Sequence, residues 1–432
     1  MKEKADVVII GAGISGCAAA QELQSQGADY LLLERNPEPG GLTRSFSVGE
    51  GSFDYTGHFL HLSRCASPAD LPHAKQNNLD WQVIERKAVV YLRGKAIPAP
   101  LQYNLYALPE GLRRKCLKDY RNRRPNQNPG NFKEYLLSGF GSKICEIFLF
   151  PYNEKLLAIS LDKISKDNAN RFFPYPDEQK IEQGSRRRRA QTPLGYNSYY
   201  WYPKHRGIGL LAQGLADGLD HLQTCCRVER VDIENKRVMT SRGMIGYDRL
   251  LTSQPLKAFC SRTNSSGLRS LANRLSHNRV LCINLLMKKK TVATFRGCQW
   301  IYIPDKSLPF YRWGIYSHLP LNSEPEGASA IYVEVAFSHR ERPVMSEVIN
   351  RVLAAFERMD WFQKKDCSVI AANWIDCAYV HFQPDREAVV GRIMTLLGAR
   401  DVHPIGRYGL WDYISMEDSI YSGIETARKV MA

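Results

Sequence analysis

The 432-residue sequence has no uninterrupted run of about 18 apolar residues, which excludes a conventional transmembrane helix. Its 11 cysteines show neither a Cys-x-x-Cys pair nor the Cys/His spacing of a zinc site, so no metal is predicted and the thiols are expected to be reduced. No segment repeats internally. Residues 1–6 pass directly into an apolar run and leave no room for a signal peptide, which predicts a cytoplasmic protein without integral membrane association.

Acidic residues are scarce relative to basic ones. The chain has 59 Lys and Arg against 44 Asp and Glu, a formal charge of +15, and part of the excess lies in short runs at 121–124 and 186–189. Because no nucleic-acid-binding module accompanies these runs, nucleic acid is not predicted as a partner. The run at 186–189 is either a solvated loop or a segment that attracts an anionic substrate or a membrane surface.

A dinucleotide-binding pattern stands near the N-terminus. The first apolar run predicts a buried parallel strand, and it ends in the motif Gly11-Ala12-Gly13-Ile14-Ser15-Gly16. Gly11 suits a tight turn, Gly13 leaves room for a pyrophosphate, and Gly16 lets the following helix pack closely. The amide groups of the motif and the helix N-terminus then face the anion. A second strand at 30–33 places Glu34 at the ribose hydroxyls.

The residues after Glu34 favour FAD over NAD. A second pair of glycines, Gly40 and Gly41, follows the acidic residue, as in FAD proteins of the amine-oxidase and pyranose-mutase group. Near the other end, Gly406 precedes a helical stretch at 416–430 whose N-terminus is expected to lie over the flavin. The cofactor contacts predicted beyond the first motif and Glu34 are Arg35, Gly41, Leu42, Val228, Gly406, Arg407 and Met416.

These patterns predict an α/β protein with three substructures: a Rossmann-type FAD-binding domain, an inserted mostly helical domain, and an antiparallel β-sheet substrate domain. Strand-like runs dominate the last of these, and a polar loop interrupted by prolines is expected at 167–193. The predicted boundaries are 1–65, 200–255 and 386–432 for the discontinuous FAD domain, 66–199 for the helical insertion and 256–385 for the sheet domain.

Over nearly its whole length the chain resembles the UDP-galactopyranose mutases, and among these the longer eukaryotic-type enzymes. Single blocks are weak signals, but their order and spacing together are specific. The matching blocks are GHF at 57–59, GKAIPAPLQYN at 94–104, FLFPYNEK at 148–155, GYNS at 195–198, WIYIP at 300–304, PFYR at 309–312 and GRYGLWDY at 406–413. The family usually has two glycines before the histidine, whereas Thr56 precedes Gly57 here.

The resemblance implies a net non-redox isomerisation. In that family N5 of the reduced flavin attacks the anomeric carbon of a UDP-galactose-like sugar, UDP leaves, and the sugar recloses in the other ring form, pyranose or furanose. The cofactor implied is therefore reduced FAD, with NAD(P)H as one candidate reductant. The partner implied is a sugar nucleotide or another anionic small molecule, and a homo-oligomer is left open.

The same resemblance implies individual roles. His58 takes the position near the flavin, while Arg312 and Arg171 are the catalytic cations that meet the departing diphosphate, because guanidinium groups form charge-assisted hydrogen bonds to phosphate. The substrate contacts implied are Gln102, Tyr103, Asn197, Trp300, Tyr302, Tyr311, Arg312 and Tyr413.

Two other classes of function stay open. An FAD-dependent oxidoreductase of the amine oxidase or protoporphyrinogen oxidase type shares the cofactor pattern and would act on an anionic small molecule, with oxidised flavin accepting a hydride. A flavoprotein that only binds a sugar nucleotide is the third class. The mutase differs from the oxidoreductase because it needs reduced flavin and consumes no reductant per turnover. It differs from the binding protein because its reduced flavin reacts.

Overall fold

The structure is a computed structural model. It describes residues 2–48, 51–73, 80–169, 176–186, 198–204, 206–288, 293–316 and 328–432. Arg171, Asn197, the arginines at 187–189 and much of the loop predicted at 167–193 lie outside the described residues. In the described part, no helix combines the length and the apolar character that crossing a bilayer requires.

The strands are numbered in chain order. They are β1 Lys4–Ile10, β2 Tyr30–Leu33, β3 Ser45–Val48, β4 Gly51–Asp54, β5 Trp81–Glu85, β6 Ala88–Leu92, β7 Lys95–Pro98, β8 Tyr199–Pro203, β9 Leu222–Gln223, β10 Val228–Asp232, β11 Arg237–Thr240, β12 Gly243–Thr252, β13 Asn278–Met287, β14 Trp300–Tyr302, β15 Arg312–Ile315, β16 Ser329–Ser338, β17 Cys367–Ile375 and β18 Val402–Pro404.

The helices follow the same rule. They are α1 Ile14–Ser25, α2 Glu110–Arg121, α3 Phe132–Phe140, α4 Ser142–Ile144, α5 Phe150–Leu157, α6 Glu178–Arg186, α7 Gly209–Ala216, α8 Leu256–Arg262, α9 Ser266–Asn273, α10 Met345–Arg358, α11 Arg386–Gly398, α12 Gly406–Gly409 and α13 Met416–Met431. Helices α2 to α6 surround one apolar cluster that includes Leu112, Phe132 and Leu149.

The first sheet has the strand order β10-β11-β12-β1-β2-β9, and β18 also pairs with β12. Strand β1 runs parallel to both β2 and β12. All four residues of β2 and the last four of β1 are buried, as expected for a parallel sheet covered on both faces. The carboxyl ends of β1 and β2 therefore deliver the glycine turn and Glu34 to one edge.

The second sheet has the order β17-β13-β16-β15-β14-β6-β7. Its pairs are antiparallel except β14 with β6, which is parallel. Strands β6 and β7 come from the segment at 66–199, so part of the segment assigned to the helical insertion builds this sheet. The Rossmann-like sheet, the helices and the second, mostly antiparallel sheet confirm the predicted α/β fold class.

Helix α13 brings the end of the chain back to the first sheet. Ser415 caps its N-terminus. The Ser415 side chain accepts a hydrogen bond from the Asp418 amide, and the Asp418 carboxylate accepts one from the Ser415 amide. The helix packs against α1 so closely that a Cβ on Gly423 would lie 2.1 Å from the Ser15 carbonyl oxygen. This contact aligns the N-terminus of α13 with the glycine turn.

Replacing Gly423 by Ala should therefore lower the free energy of unfolding by about 1–3 kcal/mol, because the backbone of α1 cannot yield to the added methyl group. Denaturant unfolding measures the change. The matched control is Gly391→Ala in α11, where a Cβ would meet no atom within 4 Å. That variant should be neutral or more stable by up to about 1 kcal/mol, and equal losses in both would contradict the packing argument.

Candidate active site

A cavity of about 1250 Å³ opens between the carboxyl edge of the first sheet and one face of the second. Most of the predicted site residues that the structure describes line it. Those lining it are Gly11, Gly13, Ile14, Ser15, Glu34, Arg35, Gly41, Leu42, His58, Gln102, Tyr103, Val228, Trp300, Tyr302, Tyr311, Arg312, Gly406, Arg407, Tyr413 and Met416. Gly16 lies just behind the wall.

The glycine turn forms a cradle at one end of this cavity. Gly11 has a φ of +98°, and a Cβ on Gly16 would lie 1.9 Å from the Gly11 carbonyl oxygen, so the helix packs directly on the turn. A Cβ on Gly13 would meet no protein atom within 4 Å, since that position faces open space. The turn thus leaves room for a bulky anion at the N-terminus of α1.

Glu34 is fixed beside the cradle. Its Oε2 accepts a hydrogen bond of 2.9 Å from the Ala12 amide, and its Oε1 accepts one of 2.9 Å from the Asn36 amide. The side chain is buried. A carboxylate held in this way can accept further hydrogen bonds from hydroxyl groups of a ligand without moving.

Positive charge dominates the cavity wall. The carboxylates that the described lining contributes are Glu34, Glu334 and Asp376. The basic groups there are Arg35, Arg44, Arg86, Arg227, Lys257, Arg262, Arg312 and Arg407. Such a wall attracts anionic ligands and disfavours cationic amines.

His58 lies inside the cavity as a neutral ring. Burial, helped by the nearby Arg407, lowers its pKa to about 4. The Nδ1 of the ring is buried and has no hydrogen-bond partner among the described residues. A buried nitrogen left open in this way fits a hydrogen bond to a bound group.

Tyrosines form a second wall. The ring of Tyr152 lies 5.2 Å from that of Tyr302 and 6.4 Å from that of Tyr311. Tyr379 continues the row, 6.5 Å from Tyr311 and 5.9 Å from Tyr413. Burial raises the pKa of Tyr152, Tyr311 and Tyr379 well above the ordinary value, so these hydroxyl groups stay neutral.

Sequence reasoning missed two members of this row. Tyr152 stands in the FLFPYNEK block that carried the resemblance, so a signal for it existed. Tyr379 follows β17 outside any quoted block, and only its register position, where its amide binds the Asn278 side chain, brings it to the wall.

Arg312 lies on β15 directly opposite Glu334 of β16. Its Nε and Nη2 donate hydrogen bonds of 3.0 and 2.6 Å to Glu334 Oε2, to which the Tyr311 hydroxyl also donates. Although burial alone would lower the pKa of Arg312, the facing carboxylate raises it well above its ordinary value. The sequence signal for Glu334 was a lone acidic residue in an otherwise apolar strand.

Arg86 is a second cation on this side of the cavity, and it too was missed. Its guanidinium lies 4.7 Å from the ring centroid of Trp300 and donates a hydrogen bond to the Tyr302 hydroxyl. Trp300 is itself buried against Phe59, with ring centroids 4.2 Å apart. The guanidinium therefore occupies one face of the indole that was predicted to stack on a ligand.

The remaining predicted contacts lie around this wall. The Tyr103 hydroxyl accepts a hydrogen bond of 3.1 Å from the Asp177 amide, which ties the start of α6 to the cavity. The guanidinium of Arg407 lies 3.9 Å from the ring centroid of Tyr413 and donates to the Ile414 carbonyl. Tyr103, Arg407 and Tyr413 all line the cavity, and these contacts hold them in place.

Lys155 supports the hairpin that carries Tyr302 and Arg312. Its ammonium donates to the carbonyl groups of Ile303, Asp305 and Phe310 at 3.0, 2.7 and 2.6 Å. Burial lowers the pKa of Lys155 to about 7, while three carbonyl acceptors favour the charged form that has three donors to offer. This side chain closes the turn between β14 and β15.

Comparison with known structures agrees with this geometry. The crystal structure of a reduced UDP-galactopyranose mutase superposes with a TM-score of 0.90 at 25% identity, covering 99% of this chain and 94% of that one. The chain has the fold of the UDP-galactopyranose mutase family. This bears out the resemblance derived from the sequence blocks.

Other flavin enzymes have the same fold at lower similarity. A putative protoporphyrinogen oxidase from Exiguobacterium sp. 255-15 has a TM-score of 0.75 at 15% identity, covering 100% of this chain and 99% of that one. Cyclohexylamine oxidase from Brevibacterium oxydans has a TM-score of 0.66 at 17% identity, covering 99% and 98%. These two flavin enzymes therefore share the overall fold of this chain.

Sequence comparisons cover less of the chain. Residues 9–69 match the model of an NAD(P)-binding Rossmann-like domain. Human all-trans-retinol 13,14-reductase is 35% identical over 81 residues, 18% of this chain and 13% of the reductase. Bovine flavin-containing amine oxidase B is 29% identical over 104 residues, 23% and 19% of the two chains. The chain thus spans only a small part of these curated relatives.

Replacing Lys155 by Met should strip three buried carbonyl groups of their donor. We expect the free energy of unfolding to fall by about 1–3 kcal/mol, because the hairpin loses its support. Thermal and denaturant unfolding measure the effect. Lys306→Met is the control, since Lys306 pairs with Glu154 at the surface and should contribute little. A Lys155 variant as mild as this control would contradict the assigned role.

Proposed function

We propose that the cavity binds FAD. The open space at Gly13 fits a pyrophosphate at the N-terminus of α1, and the fixed Glu34 carboxylate fits the ribose hydroxyls. The unpartnered His58 Nδ1 and the N-terminus of α13 suit the flavin end. When bound and reduced, the cofactor supplies a nucleophilic ring nitrogen; NAD(P)H is one candidate reductant.

The substrate proposed is a UDP-galactose-like sugar nucleotide, interconverted between its pyranose and furanose forms. The observation that carries this is the pairing of fixed guanidinium groups, Arg312 and Arg86, with a row of neutral tyrosines on the wall near His58. This set suits a diphosphate and a hydroxyl-rich sugar. The near full-length likeness to a reduced mutase favours that chemistry over the others.

In this proposal the protein holds the leaving diphosphate. Arg312 presents Nη1, which has no hydrogen bond to the described residues, while its other edge stays on Glu334. The hydroxyl groups of Tyr302 and Tyr413 donate hydrogen bonds to the same anion or to the sugar. Neutral His58 keeps one nitrogen for the cofactor. Arg171 and Asn197 remain predicted contacts.

The direct test uses the purified holoprotein reduced anaerobically with dithionite. UDP-galactopyranose is added and the sugar products are separated. We expect the furanose form to appear with no net oxidation of the flavin. Stoichiometric oxidation of flavin or turnover of an electron acceptor would point to an oxidoreductase instead. Binding of UDP without any conversion would leave only a binding protein.

Replacing Arg312 by Ala should weaken UDP binding by about 1.5–3 kcal/mol, because one charged hydrogen bond is lost. This corresponds to an increase in Kd of about 10- to 150-fold. Arg312→Lys keeps a positive charge opposite Glu334 and separates a binding defect from misfolding, because it should melt close to the parent chain yet still bind UDP more weakly. Arg274→Ala, at an exposed pair with Asp385, is the control. Unchanged UDP affinity in both Arg312 variants would remove the assigned anion site.

A further inference from the structure

One buried carboxylate touches both walls of the cavity. The Glu334 side chain is 2% exposed. Its Oε2 accepts the two guanidinium hydrogen bonds of Arg312 and that of the Tyr311 hydroxyl. Its Oε1 accepts a hydrogen bond of 2.8 Å from the Thr56 hydroxyl, on the segment that carries His58.

Thr56 starts a tight turn. The His58 amide donates a hydrogen bond of 2.8 Å to the Thr56 carbonyl, so the residue before Gly57 and the residue after it are locked together. A shift of the Thr56 side chain therefore moves the His58 backbone. This threonine stands where the mutase family usually has a glycine, which has no hydroxyl to donate.

The turn rests on Tyr332. A Cβ on Gly57 would lie 2.5 Å from Tyr332 Cζ, and a Cβ on Gly314, the cross-strand partner of Tyr332, would lie 2.3 Å from its Cε1. The ring thus fills the space that two glycines leave between β15 and the turn. Because the Tyr332 ring fills the interior on this side, the turn cannot move inward. The hydrogen bond from Thr56 to Glu334 restrains its movement outward.

The carboxylate of Glu334 interacts with both Arg312 and Thr56, so a change at one of these contacts affects the other. Glu334 offsets the positive charge of Arg312, and both lie out of water, so an anion bound at Arg312 Nη1 competes for that positive charge and weakens its pairing with the carboxylate. The carboxylate then depends more on Thr56 and Tyr311. Conversely, a movement of the turn at 56–58 that weakens the Thr56 hydrogen bond makes the carboxylate depend more on Arg312. Binding free energies linked in this way are reciprocal.

We propose that Glu334 is a positioning residue that couples the anion-binding Arg312 to the turn carrying His58, with the Thr56 hydroxyl as the link. The inference rests on the proposed function, in which Arg312 meets the diphosphate and His58 meets the flavin. Its consequence is that UDP affinity depends on the oxidation state of the flavin, and that UDP shifts the flavin midpoint potential by the corresponding amount.

The test compares Thr56→Val, which keeps the shape and loses the hydroxyl, with Thr56→Ser, which restores a donor. For each holoprotein the Kd for UDP is measured with oxidised and with reduced flavin, and the midpoint potential with and without UDP. In the parent chain the two Kd values should differ by about fivefold or more. Thr56→Val should bring their ratio close to one, and Thr56→Ser should keep it.

The control is Thr263→Val, which removes another buried hydroxyl that donates to the Cys260 carbonyl outside the cavity. It should leave the ratio unchanged. If UDP binds and Thr56→Val keeps the parent ratio, or if the parent shows no difference between the two flavin states, the coupling is refuted and the proposed function stands. If UDP binds neither form of the parent holoprotein, the proposed function fails and the coupling with it.

Discussion

The ion pair between Arg312 and Glu334 is the interaction on which the cavity depends. Two charges taken out of water are costly unless their remaining hydrogen-bonding positions are filled, and here Tyr311 and Thr56 fill positions on the carboxylate. Arg312 and Glu334 lie on the neighbouring strands β15 and β16, Tyr311 directly precedes β15, and Thr56 lies in the turn after β4. The pair therefore has all its partners only when the second sheet packs against the turn at 56–58. The packing of the core and the geometry of the site consequently depend on each other.

Around this pair the site keeps fixed charges over a wide range of pH. Burial lowers the pKa of His58 to about 4 and raises that of the wall tyrosines, so neither type of group changes charge near pH 7. The guanidinium groups stay positive at any such pH. Beside Glu334 an anion then meets the fixed positive charge of Arg312 and neutral hydroxyl donors next to it, which suits a ligand whose negative charge must be held while a bond to it breaks.

The end of the cavity formed by the glycine turn could be predicted from sequence because its determinants are local. The glycine turn and Glu34 lie within one strand-helix-strand unit, so their spacing in the sequence determines their relative positions. The fold class followed from the same patterns. The opposite wall could not be predicted in full, since Arg86, Glu334 and Tyr379 come from three distant segments that only strand pairing brings together. The resemblance predicted Arg312 and Tyr302. It did not predict Glu334, which binds Arg312, or Arg86, which binds Tyr302.

The two sheets are interleaved along the chain. Strands β1 and β2 begin the first sheet, β6 and β7 belong to the second, β9 to β12 return to the first, β13 to β17 complete the second, and β18 closes the first. Joining strands this far apart in the chain costs loop-closure entropy before the pairing is made, and non-local pairing of this kind slows folding. No single cut separates one sheet from the other, and a fragment ending before β13 would hold the glycine cradle and Arg86 without the strands that carry Tyr302, Arg312 and Glu334.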